Sequence, residues 1–336
     1  MPALERSRID GLSALVTGGS RGLGLLLAAR LAVRGCRITI LARDADELRR
    51  GAEWIEDRTG RDVRTAVCDV RDRAAVERAV ADTYAVQDGL DVVLANAGVI
   101  QVAPAATAGV EAFEDAMSTI FDGALHTALA ALPYLRESRA GGRLGFVGSV
   151  GGLLAVPHLV PYSCAKAAVG ALGEGLRAET AGENVTVTTV HPGLMRTGSH
   201  LQAEFGGRAS AEFAWFSALA GAPVVSMDAE RAAERIVRAV ERRRTRLVLT
   251  PAARAAGLAH GVAPTLVTRA SGLVARLLPD AEGEAGAPLR QGHGLEPAGV
   301  HGLAGRLRAW GSALNDRAAG RYNQSVPGPA TSATRP

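Results

Sequence analysis

The chain has 336 residues, 47% of them apolar and 4% aromatic, with 38 basic and 34 acidic groups for a net charge of +4. That apolar content is enough for a large aliphatic core, while the charge is too small and the aromatics too few for a nucleic-acid reader. The surplus charge lies in residues 251–336, where nine arginines face five acids, so the first 250 residues are electrically balanced.

The first ten residues are charged and lack the apolar stretch of a secretory signal, and no apolar run reaches the roughly 18 residues of a membrane span. Cys36, Cys68 and Cys164 are far apart and match no metal spacing, and none of the seven histidines has metal-ligand company. An odd, sparse cysteine set fits a reducing compartment, so a cytoplasmic protein with no metal site is expected.

In chain order, Ser13–Thr17 reads as a first buried strand and Gly22–Arg34 as the helix after it. Between them lies Thr17-Gly18-Gly19-Ser20-Arg21-Gly22-Leu23-Gly24. Glycines at 18, 22 and 24 let the backbone turn tightly and approach a pyrophosphate, which the free N–H groups and dipole of the helix N-terminus would hold. A second strand, Arg37–Ala42, precedes Arg43 and Asp44. An acid at this place suits a ribose 2′-hydroxyl, whereas two guanidiniums, Arg21 and Arg43, suit a 2′-phosphate, so NADP(H) is favoured over NAD(H).

The alternation continues with helices expected at Ala45–Arg58, Arg73–Val86, Glu111–Arg136, Tyr162–Ala181 and Asp228–Arg243. Strands are expected at Arg64–Cys68, Asp91–Ala95, Arg143–Val147, Val185–His191 and Arg246–Leu249. Strands rich in Val, Ile and Leu without polar alternation are buried on both faces. Repeated strand–helix units give a doubly wound, Rossmann-type α/β fold, a parallel sheet with helices on both sides that binds cofactor beyond its carboxyl ends.

Lysine occurs once, at Lys166. Tyr162 precedes it by four residues, which puts phenol and ammonium on one helix face. A phenol beside a cation loses its proton more readily, so the pair reads as a proton-transfer device.

Together these residues resemble the classical short-chain dehydrogenase/reductase family over about residues 11–250, in its NADP-preferring form with a C-terminal extension. The resemblance rests on the glycine loop, Asp69 in Cys68-Asp69-Val70, Asn96-Ala97-Gly98, Ser149 thirteen residues before Tyr162, Tyr162-x-x-x-Lys166, and Pro192-Gly193 with Thr197. It implies that Tyr162 is the general acid or base, that Lys166 lowers its pKa and bonds the ribose, and that Ser149 bonds the substrate oxygen. It also implies that Gly18, Ser20, Gly22, Leu23 and Gly24 with Arg21 and Arg43, Asp69 and Val70, Asn96 to Gly98, Tyr162 and Lys166, and Pro192, Gly193 and Thr197 bind the cofactor. His191 and Cys164 read as packing residues.

The pattern departs at Ile120, where the family carries an asparagine three residues before Gly123. A relay through backbone and water alone, replacement by Asp122, and weak or absent activity all remain open. A slowed enzyme is the reading, and a cofactor-binding scaffold or sensor its rival.

Residues 193–226 read as a substrate lid whose Leu194, Met195, Leu201, Phe205, Phe213, Trp215 and Phe216 suit an apolar ketone or secondary alcohol. Residues 251–336 form an extension. Its stripe of Leu266, Val267, Leu273, Val274, Leu277 and Leu278 would dock on the body, lie on a membrane surface, cap the site or meet a partner subunit, docking being the plainest. A second stripe is Leu303, Leu307, Trp310 and Leu314. Gly283–Pro297 reads as a linker and Ser325–Pro336 as a disordered end. The family often forms homo-oligomers, but an extension of this size would be able to cover such an interface.

Overall fold

The structure, a computed structural model, describes residues 7–222, 226–281, 283, 286–295 and 313–324. The first half of the chain runs β1 (Ser13–Thr17), α1 (Gly22–Val33), β2 (Arg37–Ala42), α2 (Ala45–Thr59), β3 (Val63–Val67), α3 (Arg73–Gln87), β4 (Val92–Ala95), β5 (Gln101–Val102), α4 (Ala105–Ala116), α5 (Gly123–Glu137) and β6 (Gly142–Val147). Then come α6 (Val160–Glu179), β7 (Val185–His191), β8 (Met195–Arg196), β9 (Glu204–Phe205), α7 (Ala209–Gly221), β10 (Met227–Asp228), α8 (Ala229–Glu241), β11 (Arg246–Val248), α9 (Pro251–Val262), α10 (Pro264–Ala275) and β12 (Arg290–Gln291).

Seven strands pair in the order β11-β7-β6-β4-β1-β2-β3, every neighbour parallel. The order reverses between β1 and β4, and the crevice opens there, beyond the strands' carboxyl ends. The expected Rossmann-type sheet is therefore observed. Every residue of β1, β6 and β7 is buried, whereas β3, at the edge, leaves Val67 64% exposed. Helices α1, α2 and α8 cover one face and α3, α5 and α6 the other. Asp44 caps α2 by accepting from Glu47 N–H at 2.7 Å, and Asp72 caps α3 by accepting from Ala75 N–H at 3.0 Å.

The long helix expected at Glu111–Arg136 starts about where expected, just after Gly109, whose φ of +70° kinks it away from a short turn opening at Ala105, and a wide π-helical turn, Met117–Asp122, interrupts it before α5. Periodicity does not reveal such a turn, because the apolar pattern persists through it.

The lid is more ordered than expected. Strand β9 lies between β5 and β12, β8 pairs with β10, and α7 fills much of the remainder. Part of the expected linker is therefore a strand, and Leu295 is buried in the lid's own core with Phe205, Phe213 and Phe216.

The Leu266 stripe does not dock. Helix α10 has no buried residue, and Leu266, Leu273, Val274 and Leu277 are exposed. Of the second stripe, Leu303, Leu307 and Trp310 lie outside the described residues, as does Ser325–Pro336. Leu314 opens a helix over 313–321 that docks instead through Asn315, Ala318 and Ala319, with Tyr322 just beyond it. No helix among the described residues is long and apolar enough to cross a membrane.

Candidate active site

Strand β1 delivers the glycine loop to the crevice. A Cβ on Gly24 would run into the Gly18 carbonyl, and one on Gly18, where φ is +62°, would stand 2.9 Å from Ala97 Cα. The segment that presses on the loop is Asn96-Ala97-Gly98. Asn96 N–H and Ala97 N–H donate to Thr17 Oγ1 at 3.0 and 3.2 Å, and the Asn96 amide donates to the carbonyls of Thr17 and Gly18 at 3.0 and 3.2 Å. Asn96 thus sets the loop's shape. No side chain caps α1, and of its first-turn N–H groups that of Gly22 is taken by the Tyr322 carbonyl, which leaves those of Leu23 and Gly24 for an anion.

Charge around the loop is arranged differently from the expectation. Glu47, on α2, accepts from the Ser20 hydroxyl and holds the Arg21 guanidinium at 2.6 Å. Arg21 is therefore already paired. Asp44 is spent as a helix cap, and Arg43 is the exposed cation at the end of β2. Burial pushes the Asp69 carboxyl up, but bonds from the Arg71 side chain and backbone outweigh this and hold it below its ordinary value.

The inner end of the crevice is built by β6 and α6. Ser149 follows β6, and Gly151 N–H donates to its hydroxyl at 3.0 Å. Helix α6 starts just ahead, with Pro161 in its first turn, and presents Tyr162 and, one turn on, Lys166. A Cβ on Gly151 would meet both Ser149 Oγ and the Tyr162 ring at 3.4 Å, so the three close on one point. Lys166 is buried, and its Nζ donates to the Val147 carbonyl at 2.7 Å while standing 5.8 Å from the Tyr162 ring centre. Burial lowers the Lys166 pKa to about 8. Tyr162 keeps part of its surface open to the crevice, yet desolvation raises its pKa, and a hydrogen bond with Ser149 works against that rise. The expected acidification by Lys166 is thus not what dominates: burial holds the phenol protonated, and the opposing influence comes from Ser149.

One cleft of about 610 Å³ joins loop and catalytic end. Every residue expected to bind cofactor or act in catalysis lines it except Gly22. The Gly22 N–H donates to the Tyr322 carbonyl at 2.9 Å, from the C-terminal extension. The family model for short chain dehydrogenase matches residues 13–204 of this chain.

The chain belongs to the short-chain dehydrogenase/reductase family.

Members of that family are NAD(P)-dependent oxidoreductases acting on CH–OH and C=O groups. This short-chain dehydrogenase/reductase is 34% identical over 195 residues to a chloroplastic tropinone reductase homolog from Arabidopsis thaliana, a match covering 57% of this chain and 60% of that protein. Among solved structures it is similar to a dehydrogenase/reductase from Sinorhizobium meliloti 1021, with 26% identity, 74% and 97% of the two chains covered, and a TM-score of 0.62. It shares the fold of L-sorbose reductase from Gluconobacter frateurii complexed with NADPH and L-sorbose, with 22% identity, 71% and 95% covered, and a TM-score of 0.63.

Several expectations about this family member's site need correction. The lid aromatics do not face the cleft: Phe205, Phe213 and Phe216 are buried among themselves, with ring centres 5.3 and 6.0 Å from Phe205. Of the apolar lid residues expected there, Met195 does line the cleft, and the rest of its lid side is Ser199, Gln202, Ala203 and Glu204, with Gln291 beside them. Cys164 is exposed on α6 and is not a packing residue. His191 is buried, as expected, with Nδ1 3.2 Å from the Ser149 carbonyl, and burial lowers its pKa.

Ile120 is buried in the sheet-side core, and Asp122 does not line the cleft. A Cβ on Gly98 would lie 3.5 Å from Ile120 Cγ1 and 3.6 Å from Lys166 Nζ, so the isoleucine stands beside the lysine. Its neighbour Thr119 does line the cleft, with a buried hydroxyl that has no partner among the described residues. Thr119, Gln202, Glu204, Gln291 and Gln324 were invisible to sequence reasoning. Thr119 falls in the π turn, and the others come from segments that no motif marks.

The site fits a dinucleotide. Loop N–H groups, a glycine cradle that side chains would fill, and an unpartnered hydroxyl lie along one continuous cleft.

Proposed function

We propose that the protein is an NADP(H)-dependent reductase or dehydrogenase that interconverts a carbonyl and a secondary alcohol. The convergence of Ser149, Tyr162 and Lys166 at the inner end of a cleft whose outer end is the glycine loop carries this reading. The loop from Gly18 to Gly24 would hold the pyrophosphate, Asp69 and Val70 the adenine, and Arg43 a 2′-phosphate. Asn96 to Gly98, Pro192, Gly193 and Thr197 would flank the nicotinamide half. The bound nicotinamide supplies or accepts the hydride.

The chain's own groups move the proton. In reduction Tyr162 donates its phenolic proton to the substrate oxygen, and in oxidation the phenolate takes it back. Ser149 donates a hydrogen bond to the same oxygen and stabilises the charge that develops there. Lys166, anchored on the Val147 carbonyl, keeps a positive charge beside the phenol. The substrate end combines Val99, Ile100 and Ala203 with Gln202, Glu204 and Gln291, which suits an apolar body carrying a polar substituent.

The rival reading, a dinucleotide-binding scaffold, rests on Ile120 beside Lys166. NADPH consumption against a panel of ketones and aldehydes, with Tyr162→Phe as control, separates the two. Turnover that Tyr162→Phe removes establishes the enzyme; nucleotide binding without turnover on any substrate establishes the scaffold.

A further inference from the structure

The C-terminal extension returns to the cofactor cleft. The helix over 313–321 and the three residues after it cross from the lid to the glycine loop. At the lid, Gly198 N–H donates to Asn315 Oδ1 at 2.8 Å, and His200 meets Asn315 Nδ2 at 2.9 Å and Asp316 Oδ1 at 2.8 Å. The backbones touch there, since a Cβ on Gly198 would run into Ala319 Cα. At the loop, the Asn323 amide donates to the carbonyls of Ser20 and Glu47 at 2.9 and 3.1 Å, and Trp54 Nε1 donates to the Arg321 carbonyl at 2.8 Å. Main-chain groups take part in these bonds at both ends of the cleft, and Asn315 and Tyr322 are buried.

Gln324 completes the crossing. Its carbonyl accepts from Gln202 Nε2 at 2.9 Å, which ties it to the lid. Its carboxamide reaches back over Gly22, so that a Cβ on that glycine would strike Gln324 Nε2 and lie 4.0 Å from Thr197 Cβ. The side chain is 5% exposed, lines the cleft, and has a buried Oε1 with no partner among the described residues. A buried amide with unmet bonding capacity costs stability unless a ligand satisfies it. The amide stands between the first turn of α1, which favours an anion, and Thr197 on the opposite wall.

We propose that residues 313–324 form a strap across the dinucleotide cleft and that the Gln324 carboxamide is a ligand of the cofactor's pyrophosphate. The inference rests on the dinucleotide binding described above and adds a contact from outside the strand–helix body. A strap bonded to both walls also makes nucleotide release wait on its opening.

The test uses full-length chains. Calorimetric titration of wild type, Gln324→Ala and Gln324→Glu with NADP+ and with ADP-ribose reads the contact directly, because both probes carry the pyrophosphate. Gln324→Ala should weaken both by about tenfold, the scale of one hydrogen bond to a charged group. Gln324→Glu should weaken them further through repulsion. Ala319→Glu, which forces the strap off Gly198, should raise the NADPH dissociation rate by at least about tenfold in stopped-flow fluorescence. Unchanged affinity in both Gln324 variants overturns the ligand role. Tighter binding in Ala319→Glu overturns the strap as a clasp and makes it a competitor of the nucleotide. A wild type that takes up neither probe overturns the dinucleotide reading itself, a result distinct from any variant effect.

Discussion

Lys166 donates to the Val147 carbonyl at 2.7 Å and stands 5.8 Å from the centre of the Tyr162 ring, so the chain's one ammonium is fixed by backbone and faces the phenol from a desolvated position. Its pKa of about 8 lies below the ordinary 10.5 because burial disfavours the charge. On the proposed mechanism, the positive charge beside Tyr162 is therefore lost as pH rises through about 8. The kcat/KM for carbonyl reduction should fall above that value along a single ionisation. The same depression means that the unfolded chain binds a proton that the folded chain lacks between about pH 8 and 10.5, so this group adds stability as pH rises through that window. Below it the buried ammonium carries a constant cost of about 3 kcal/mol. Lys166→Met should abolish turnover while raising the melting temperature at pH 7 by a few degrees, the lost bond to Val147 offsetting part of the gain. A melting temperature that falls would show that the ammonium is not a net burden.

Tyr162→Phe removes the proton donor and leaves the ring. Turnover should drop by at least about 100-fold, within the range for general acid catalysis, with nucleotide affinity unchanged. Because burial keeps the phenol protonated, reduction should show no loss from Tyr162 between pH 6 and 8, whereas alcohol oxidation, which needs the phenolate, should rise with pH. Parallel pH profiles of the two directions check this, and an oxidation rate flat with pH contradicts it.

Arg43 and Arg21 occupy unequal situations. Glu47 holds Arg21 at 2.6 Å, while Arg43 is exposed at the mouth of the cleft. Arg43→Glu should weaken NADP+ by at least about tenfold and spare NAD+, since a charge-assisted contact to the 2′-phosphate is replaced by repulsion. Arg21→Ala should cost NADP+ less, because its charge is already compensated. Equal losses for the two nucleotides in Arg43→Glu would place the arginine away from the 2′-phosphate.

What the sequence made legible was whatever local chemistry dictates. Buried Val and Leu runs can only be interior strands, so the seven-stranded sheet follows, and glycines 18 and 24 are required by the segments that touch them. Ser149 follows the end of β6, and Tyr162 and Lys166 lie one turn apart in the first two turns of α6, so the three come together. The lid aromatics look like a substrate surface in the sequence because nothing there marks their partner: Leu295, which packs with them, is far away in sequence. The strap was missed for the same reason. Asn315, Asn323 and Gln324 carry no periodic signal, and their bonds reach partners more than 100 residues away.

Ile120 gives the sharpest test of catalytic competence. It is buried in the π turn, and its Cγ1 and the Lys166 ammonium both lie close to Gly98. Ile120→Asn exchanges a buried branched hydrocarbon for a smaller polar group, at a cost of about 2–3 kcal/mol from lost apolar burial and amide desolvation. For a chain of this length that corresponds to a drop of several degrees in melting temperature. The amide also offers Lys166 and the Thr119 hydroxyl, which has no partner among the described residues, a polar group through which a proton can pass by way of water. Turnover should therefore rise several-fold even as stability falls, with the gain greatest where proton transfer limits the rate. A solvent isotope effect that shrinks in Ile120→Asn would place the gain in that step. If turnover and isotope effect both stay at the wild-type values, Ile120 does not restrain the relay, and the route through backbone and water is sufficient by itself.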